Sequence, residues 1–190
     1  MRILGISGSL RRDSLNTRLL RAAAETLPPG VELELYTGLG AIPPFNADAE
    51  DDPPRPVREL NEAIAGADAL LIATPEYNAS IPGVLKNAID WASRPFPDNA
   101  LRDHPVAVVG ASTGLFGAVW AQAEVRKALR HAGARVLNEV LPVANADGVL
   151  GPEGGLDEPE LAARLEELLV ALVREAQGAL EAEAQPATAL

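Results

Sequence analysis

The chain has 190 residues, which is enough for one domain that buries roughly two-thirds of its unfolded surface. Its lack of cysteine excludes disulfides, thiolate metal sites and cysteine nucleophiles, and a cytoplasmic location is expected. The net charge of -11 opposes general binding to nucleic acids and anionic membranes, since both require excess Lys and Arg. No apolar stretch reaches the ~20 residues of a membrane span, so no membrane partner is expected.

The predicted elements alternate between strands and helices along the chain. A short apolar run at residues 2–6 predicts a first strand, and helical spacing of apolar residues predicts a helix over 15–27. Residues 31–36 alternate with a period of two, which is typical of a half-exposed outer strand. A polar, proline-rich loop then extends to Pro56, and a helix is predicted over 57–65.

The second half of the chain continues this alternation. Residues 69–73 and 106–110 are continuous apolar runs, as in parallel strands that are covered on both faces. The apolar face of the helix predicted between them carries Ile81, Leu85, Ala88, Ile89 and Ala92. Further predictions are a helix over 118–132, a strand over 136–143 and a long last helix that follows Asp157.

Five strands separated by helices predict a doubly wound α/β sandwich, with a parallel sheet and helices on both faces. One domain is expected over residues 1–177, and the low-complexity segment 178–190 is expected to form a disordered tail. In such a fold the binding site lies beyond the carboxyl ends of the strands, where the strand order reverses. Polar clusters follow three of the apolar runs, at residues 7–16, 74–80 and 111–117. We therefore expect these clusters to meet at one edge of the sheet.

The first cluster reads GSLRRDSLN and predicts a phosphate site. Because it joins a strand to a helix, the free N–H groups at the helix start favour an anion. Ser9, Ser14 and Asn16 can hydrogen-bond to phosphate oxygens, and Arg11 or Arg12 can neutralise the charge. The pattern lacks the lysine of nucleoside-triphosphate loops and does not complete GxGxxG, so a monophosphate fits better. The alternative is that Ser14 only caps the helix and that both arginines are solvated.

The second and third clusters predict contacts with a flat ligand. In TPEYNASIPG, Pro75 stiffens the loop, Asn78 tolerates turn conformations, and the amides between them can meet the edge of a heteroaromatic ring. Tyr77 offers a stacking face, but a packing role for it and a surface role for Glu76 are equally open. In ASTGLFG the glycines let the backbone approach a ligand, or the segment is an ordinary strand-to-helix loop.

Taken together, the clusters resemble the NADPH-dependent FMN reductase family of the flavodoxin-like fold, which includes quinone, chromate and azo-dye reductases. GSLRRDSLN is similar to that family's phosphate loop, and ASTGLFG is similar to its third flavin loop. PEYNASIPGVLKNAIDW resembles its flavin-ring loop and the helix that follows. The resemblance extends over residues 1–176 and implies a five-stranded parallel sheet in the order 2-1-3-4-5.

The resemblance assigns cofactor-binding roles to three groups of residues. The group at the FMN phosphate and ribityl end is Ser9, Arg11, Ser14 and Asn16. The group that borders the isoalloxazine ring is Pro75, Glu76, Tyr77 and Asn78. The group along the remaining edge of the ring is Ser112, Thr113 and Gly114. Arg12 is a further candidate for the phosphate.

Other members of these motifs are expected to have structural roles. Lys86, Asn87, Asp90 and Trp91 lie on a predicted helix, and we interpret them as structural residues or subunit contacts. The two histidines, at positions 104 and 131, lie away from the clusters and are expected to be structural or solvated. No protein acid or base and no metal site is predicted.

The implied activity is hydride transfer from NADPH or NADH to bound FMN, followed by reduction of a small-molecule acceptor in a ping-pong cycle. The acceptor is expected to be a quinone, a flavin or a similar compound. Two alternatives stay open, a flavodoxin-like electron carrier and a flavin-binding sensor without turnover. Such carriers typically have a phosphate loop without arginine, which favours the reductase. The resemblance also implies a homodimer or homotetramer, with residues 93–104 and the preceding helix as candidate contacts.

Overall fold

A computed structural model describes residues 1–151 and 155–184, and a parallel sheet forms its centre. The strands are β1 (Arg2–Ser7), β2 (Glu32–Tyr36), β3 (Ala69–Ala73), β4 (Pro105–Ala111), β5 (Arg135–Val136) and β6 (Leu141–Val143). Their order is β2-β1-β3-β4-β5, and β6 also pairs with β4. The predicted sheet order is therefore confirmed.

Helices cover both faces of the sheet, as the doubly wound prediction requires. They are α1 (Leu15–Thr26), α2 (Arg55–Ala65), α3 (Gly83–Ala92), α4 (Val119–His131), α5 (Ala146–Val149) and α6 (Pro159–Ala184). Successive residues of β3 point to opposite faces, so Leu71 packs in one core with α1 and α6. Leu70 packs in the other core with α2, α3 and α4. Every residue of β3 and β4 is buried, as their continuous apolar runs predict.

The strand predicted over residues 136–143 is interrupted. Its two parts, β5 and β6, pair with the same edge of β4, where Val106 aligns with Val136 and Val109 aligns with Leu141. The segment between them has more residues than the stretch of β4 that it faces, so it bulges away from the edge. The buried guanidinium of Arg126 donates to the carbonyl oxygens of this bulge, and those oxygens are therefore satisfied without a ladder partner.

Two helix boundaries differ from the expected ones by more than one residue. Helix α2 begins at Arg55 rather than at Val57, because a proline in the first turn needs no N–H partner and does not delay the helix. Helix α6 continues through Ala184 and so crosses the boundary expected after residue 177. The rest of the expected tail, residues 185–190, lies outside the described residues.

Parallel pairing brings the ends of three strands to one edge. Ser7 aligns with Ala73, and Ala73 aligns with Val109 near the end of β4. The loops that follow β1, β3 and β4 therefore start side by side, and these are the loops that carry the three polar clusters. Within residues 1–151 and 155–184, no helix has the length and apolar character needed to cross a membrane.

Candidate active site at the carboxyl edge of the sheet

A cleft at this edge gathers side chains from all three predicted loops. It has a volume of about 140 Å³ and is lined by Ser9, Arg11, Ser14, Leu15, Asn16, Pro75, Glu76, Tyr77, Ala111, Ser112 and Thr113. Of the predicted site residues, Asn78 and Gly114 do not line it. Pockets that enclose a whole ligand usually have about 300–1,000 Å³, so this cleft is too small to enclose a nucleotide-sized molecule completely.

The phosphate-loop cluster is a preformed helix start. The N–H of Thr17 donates to Ser14 Oγ at 3.2 Å, so the buried Ser14 caps α1 as the structural interpretation expects. The N–H of Arg11 donates to Ser9 Oγ at 3.3 Å, which closes a local turn in the loop. The guanidinium groups of Arg11 and Arg12 are exposed, and within the described part of the chain neither has a hydrogen-bond or ion-pair partner. Both cations are thus free to meet an anion.

Asn16 has a role that the sequence did not reveal. Its side chain is buried, with Nδ2 donating to the carbonyl oxygen of Ala111 and Oδ1 accepting from the N–H of Ala111, both at 3.0 Å. This pair of bonds ties the first turn of α1 to the end of β4. The partners are 95 residues apart in sequence, so no local pattern could have indicated the contact. The predicted contact of Asn16 with the cofactor stays a prediction.

The second cluster forms a tight hairpin beside the cleft. The N–H of Tyr77 donates to the carbonyl of Ser80 at 3.2 Å, and the N–H of Ser80 donates back at 3.1 Å. The two residues between them, Asn78 and Ala79, have φ values of 53° and 58°. Left-handed backbone at both central positions is the geometry of a type I′ turn. Asn78 therefore lies at the tip of the turn, whereas Pro75 is buried at its base.

Glu76 contacts a helix rather than facing only the cleft. Its Oε2 accepts from the N–H of Trp120 at 3.0 Å and from the N–H of Ala121 at 3.1 Å. Both donors lie in the first turn of α4, where a negative charge is favourable. The carboxylate of Glu124, one turn further along, accepts from Ser80 Oγ. Two carboxylates thus join the hairpin to α4. That of Glu76 reaches from the hairpin to the helix, and that of Glu124 reaches from the helix to the hairpin.

The third cluster is held by backbone hydrogen bonds to β6 and to the segment that follows it. The N–H of Ser112 donates to the carbonyl of Val143 at 3.1 Å, and the N–H of Asn145 donates to the carbonyl of Gly114 at 3.1 Å. Gly117 is required at its position: its φ is +55°, and a Cβ there would lie 2.6 Å from the backbone nitrogen of Val143. Thr113 and Gly114 remain exposed at the mouth of the cleft.

An apolar rim is made by exposed side chains of the loops after β3 and β4 and of the first turn of α4, and the sequence patterns did not indicate it. Its members are Tyr77, Leu115, Phe116, Val119 and Trp120. The rings of Phe116 and Trp120 lie 4.9 Å apart between centroids. Apolar side chains within an otherwise polar loop were the available signal, since large exposed apolar patches usually mark binding surfaces.

The helix after the hairpin has the structural role that was predicted for part of its motif. Asn87 accepts from the N–H of Phe45 at 2.7 Å and donates to the carbonyl of Pro43 at 2.9 Å. The indole N–H of the buried Trp91 donates to the same carbonyl. These side chains anchor the long loop between β2 and α2. Lys86 and Asp90 form an exposed ion pair on the same helix.

Neither histidine reaches the cleft. His104 Nε2 donates to the carbonyl oxygen of Ile64 at 2.8 Å, and burial lowers the pKa of the imidazole below its usual value. His131 lies in the last turn of α4, on the groove between α3 and α4. The side chains that line the cleft therefore include hydroxyls, an amide, a carboxylate, an arginine and a tyrosine, but neither histidine.

The chain is similar to known flavin and quinone reductases. An NAD(P)H-dependent FMN reductase of Pseudomonas aeruginosa is 43% identical over 176 residues, which cover 90% of this chain and 93% of that protein. A 2-hydroxy-1,4-benzoquinone reductase of a Burkholderia species is 43% identical over 126 residues, or 66% of this chain and 68% of that protein. The solved structure of FerB, a flavoenzyme NAD(P)H:(acceptor) oxidoreductase from Paracoccus denitrificans, matches with a TM-score of 0.82 and 34% identity. That match covers 93% of this chain and 97% of the other.

The family comparison identifies the chain. The profile described as NADPH-dependent FMN reductase matches residues 1–148, which include all three loops of the cleft. This match confirms the resemblance seen in the motifs, the flavodoxin-like fold and an oxidoreductase that uses FMN with a reduced nicotinamide. The chain belongs to the NADPH-dependent FMN reductase family.

Proposed function

We propose that this protein transfers a hydride from a reduced nicotinamide through bound FMN to a small-molecule acceptor, such as a quinone or a flavin, in a ping-pong cycle. The observation that carries the proposal is the convergence of three loops on one cleft. One side of that cleft offers an anion-binding helix start with a free arginine, and the other side offers exposed aromatic surface. A cytoplasmic location, where reduced nicotinamides are made, is part of the proposal.

The phosphate end of FMN fits the start of α1. Free N–H groups of the first turn, the hydroxyl of Ser9 and the guanidinium of Arg11 surround one side of the cleft, and Arg12 lies next to it in sequence. Ser14 supports this end by capping the helix. Asn16 supports it by holding the helix against β4.

The ring end of FMN fits the two other loops. Backbone groups from Pro75 to Tyr77 border one edge of the cleft, and Ser112 and Thr113 border the other. The turn at Asn78 and the exposed backbone at Gly114 flank the mouth, where we propose that they meet the ring edges. The cleft is too small to enclose the whole of FMN, so the outer face of the ring stays open to a second molecule.

The chain's own residues supply position rather than proton transfer. When bound, FMN accepts the hydride and returns its electrons to the acceptor, so no side-chain acid or base is required. The rim residues Phe116 and Trp120 give an apolar surface against which a flat donor or acceptor can lie. Donor and acceptor then use the same open face in turn, which supports the ping-pong order.

The test is the visible spectrum of the purified protein with added FMN, followed without oxygen through addition of NADPH and then 1,4-benzoquinone. We expect NADPH to bleach the flavin and the quinone to restore it. Oxidised FMN that persists after NADPH would instead support an electron carrier or a sensor. If FMN does not bind, the assignment of all three loops is wrong.

We also propose that a second copy of the chain covers the groove between α3 and α4. The groove has a volume of about 940 Å³ and its lining includes Ile89, Asp90, Phe96, Glu124, Lys127 and His131. Phe96 is 64% exposed there. The groove carries both charge signs, with Asp90 on α3 and Lys127 on α4, so two copies related by a two-fold axis can pair them. Sedimentation of Phe96→Asp against wild type tests this: we expect a dimer to become a monomer, and an unchanged mass would contradict the proposal.

A further inference from the structure

We propose that Glu76 is a positioning residue that fixes the hairpin beside the cleft by acting as the missing N-cap of α4. The inference rests on the proposed function, because the surface that Glu76 fixes is the one proposed to border the FMN ring. It gives Glu76 a role other than contact with the ring.

Helix α4 lacks a side-chain cap of its own. The residue before its first turn is Ala118, which has a left-handed φ of 58° and a side chain that cannot accept a hydrogen bond. The carboxylate of Glu76 takes this place from another loop, 3.0 Å from the N–H of Trp120 and 3.1 Å from that of Ala121. A charged acceptor that bridges two free helix donors forms stronger hydrogen bonds than a neutral cap.

Helix α4 also holds the other end of the hairpin. Glu124 accepts from the hydroxyl of Ser80 and, at 3.4 Å, from the N–H of Ile81. The hairpin lies between these two attachments and is closed by its own pair of backbone bonds between Tyr77 and Ser80. Its backbone therefore cannot shift relative to α4 without breaking at least one charged contact.

The contact between Glu76 and α4 connects two loops of the cleft. Helix α4 begins where the third loop ends, and that loop is tied at Ser112 to the backbone of Val143. One carboxylate thus links two of the three loops that line the cleft. A ligand then meets a surface whose shape is set in advance, which lowers the ordering cost of binding. Loss of Glu76 removes the cap of α4 and one of the two attachments of the hairpin together.

The experiment compares Glu76→Gln, Glu76→Asp and Glu76→Ala. Gln keeps an oxygen that can accept from both N–H groups, whereas Asp is one methylene too short and Ala has no acceptor. We expect Asp and Ala to raise the FMN dissociation constant about tenfold, as loss of a helix cap would if binding depends on it. We expect Gln to stay within about threefold of wild type, since it keeps the acceptor and loses only the charge.

Two further measurements separate positioning from simple stability and from direct contact. Hydrogen exchange of the amides of Trp120 and Ala121 in the FMN-free protein should accelerate in the Ala and Asp variants. The control is Arg126→Met, further along the same helix. It removes donors to the carbonyls of Asn138 and Glu139, which lie between β5 and β6. It should lower the unfolding midpoint in urea and leave the FMN dissociation constant unchanged.

The outcomes are distinct. An unchanged dissociation constant in Glu76→Ala overturns the proposal. Equal loss of affinity in Gln and Ala, with exchange at Trp120 and Ala121 unchanged in Gln, also overturns it, because the charge would then act on the ligand and not through the cap. Slow exchange at Trp120 and Ala121 in Glu76→Ala shows that the cap does not hold the helix. If wild-type protein does not bind FMN, the proposed function fails, while the exchange measurement still tests the cap.

Discussion

Single residues at the cleft often serve the loops around them. Asn16 was predicted from its type and position to bond to a phosphate, and the resemblance assigned Glu76 to the flavin ring. Both contacts stay predictions, and in the structure the polar atoms of these residues bond to backbone groups of Ala111 and of α4. Buried or half-buried backbone groups need partners, and a short polar side chain in a loop is the nearest supply. Residue type alone therefore could not separate a ligand from a support.

A first prediction concerns Ala79, whose φ of 58° is costly for any residue that has a Cβ. Replacing Ala79 by Gly should raise the free energy of unfolding by roughly 0.5–1 kcal/mol, because relief of this strain exceeds the added entropy of the unfolded chain. The measurement is urea denaturation. Ala163→Gly, at an exposed position inside α6, is the control and should destabilise by about 1 kcal/mol. A loss of stability in Ala79→Gly would mean that the turn does not hold the left-handed geometry.

Elements of the fold are joined by a few long-range side chains. The loop between β2 and α2 has only short 3₁₀ turns at Leu39–Ala41 and Ala47–Ala49. Its attachment to α3 is made by Asn87 and Trp91. Loop anchoring thus explains two residues of the family-like motif on this helix, Asn87 and Trp91.

A second prediction follows for this attachment. Asn87→Ala leaves the N–H of Phe45 without its acceptor and the carbonyl of Pro43 with one donor fewer. It should therefore lower the free energy of unfolding by about 1–3 kcal/mol. It should also speed proteolysis within residues 37–54. Lys86→Ala, which removes only an exposed ion pair, should change stability by no more than about 0.5 kcal/mol. Equal effects of the two variants would contradict the anchoring role.

A third prediction concerns the pH dependence of the contact between α2 and β4. Burial lowers the pKa of His104, which donates from Nε2 to the carbonyl of Ile64 at the end of α2. The unfolded chain therefore binds a proton more readily than the folded chain once the pH falls below about 6.5. The stability that this group contributes is present above that pH and is lost as the pH falls through the lower folded-state value.

The check is the urea midpoint of wild type and His104→Gln between pH 7.5 and 5. Glutamine can donate to the same carbonyl and does not titrate, so its midpoint should fall less over this range. Parallel pH profiles of the two proteins would show that His104 does not contribute. A steeper fall in the variant would reverse the sign and contradict the buried neutral imidazole.

At the scale of the whole molecule, the parallel sheet decides where chemistry can occur. Ser7, Ala73 and Ala111 end neighbouring strands, so loops that are far apart in sequence share one cleft. Backbone groups of β6 and of the segment after it, together with the side chain of Glu124 on α4, then hold two of these loops from outside. The surface at the mouth is apolar and open, although the protein as a whole carries a net charge of -11. A local cation site is thus needed to attract an anionic cofactor.

A fourth prediction follows from that local charge. Saturating FMN should stabilise the whole protein by about 2.7 kcal/mol at a hundred times its dissociation constant. Riboflavin, which lacks the phosphate, should bind more weakly and raise the melting temperature less at equal concentration. Arg11→Ala should reduce the advantage of FMN over riboflavin, with Arg21→Ala on the far part of α1 as the matched control. Equal shifts with both flavins in wild type would contradict a phosphate site at α1.

The sequence alone determined the order of elements, the parallel sheet, the edge where the cleft lies and most of the residues that line it. Those features depend on local patterns, namely apolar runs, helical spacing and polar clusters at strand ends. Only the tertiary structure decided the break between β5 and β6, the anchoring by Asn87, the bond between Asn16 and Ala111, and the contact of Glu76 with α4. Each of these depends on a partner distant in sequence, and hydrogen bonds between distant segments leave no periodic trace along the chain.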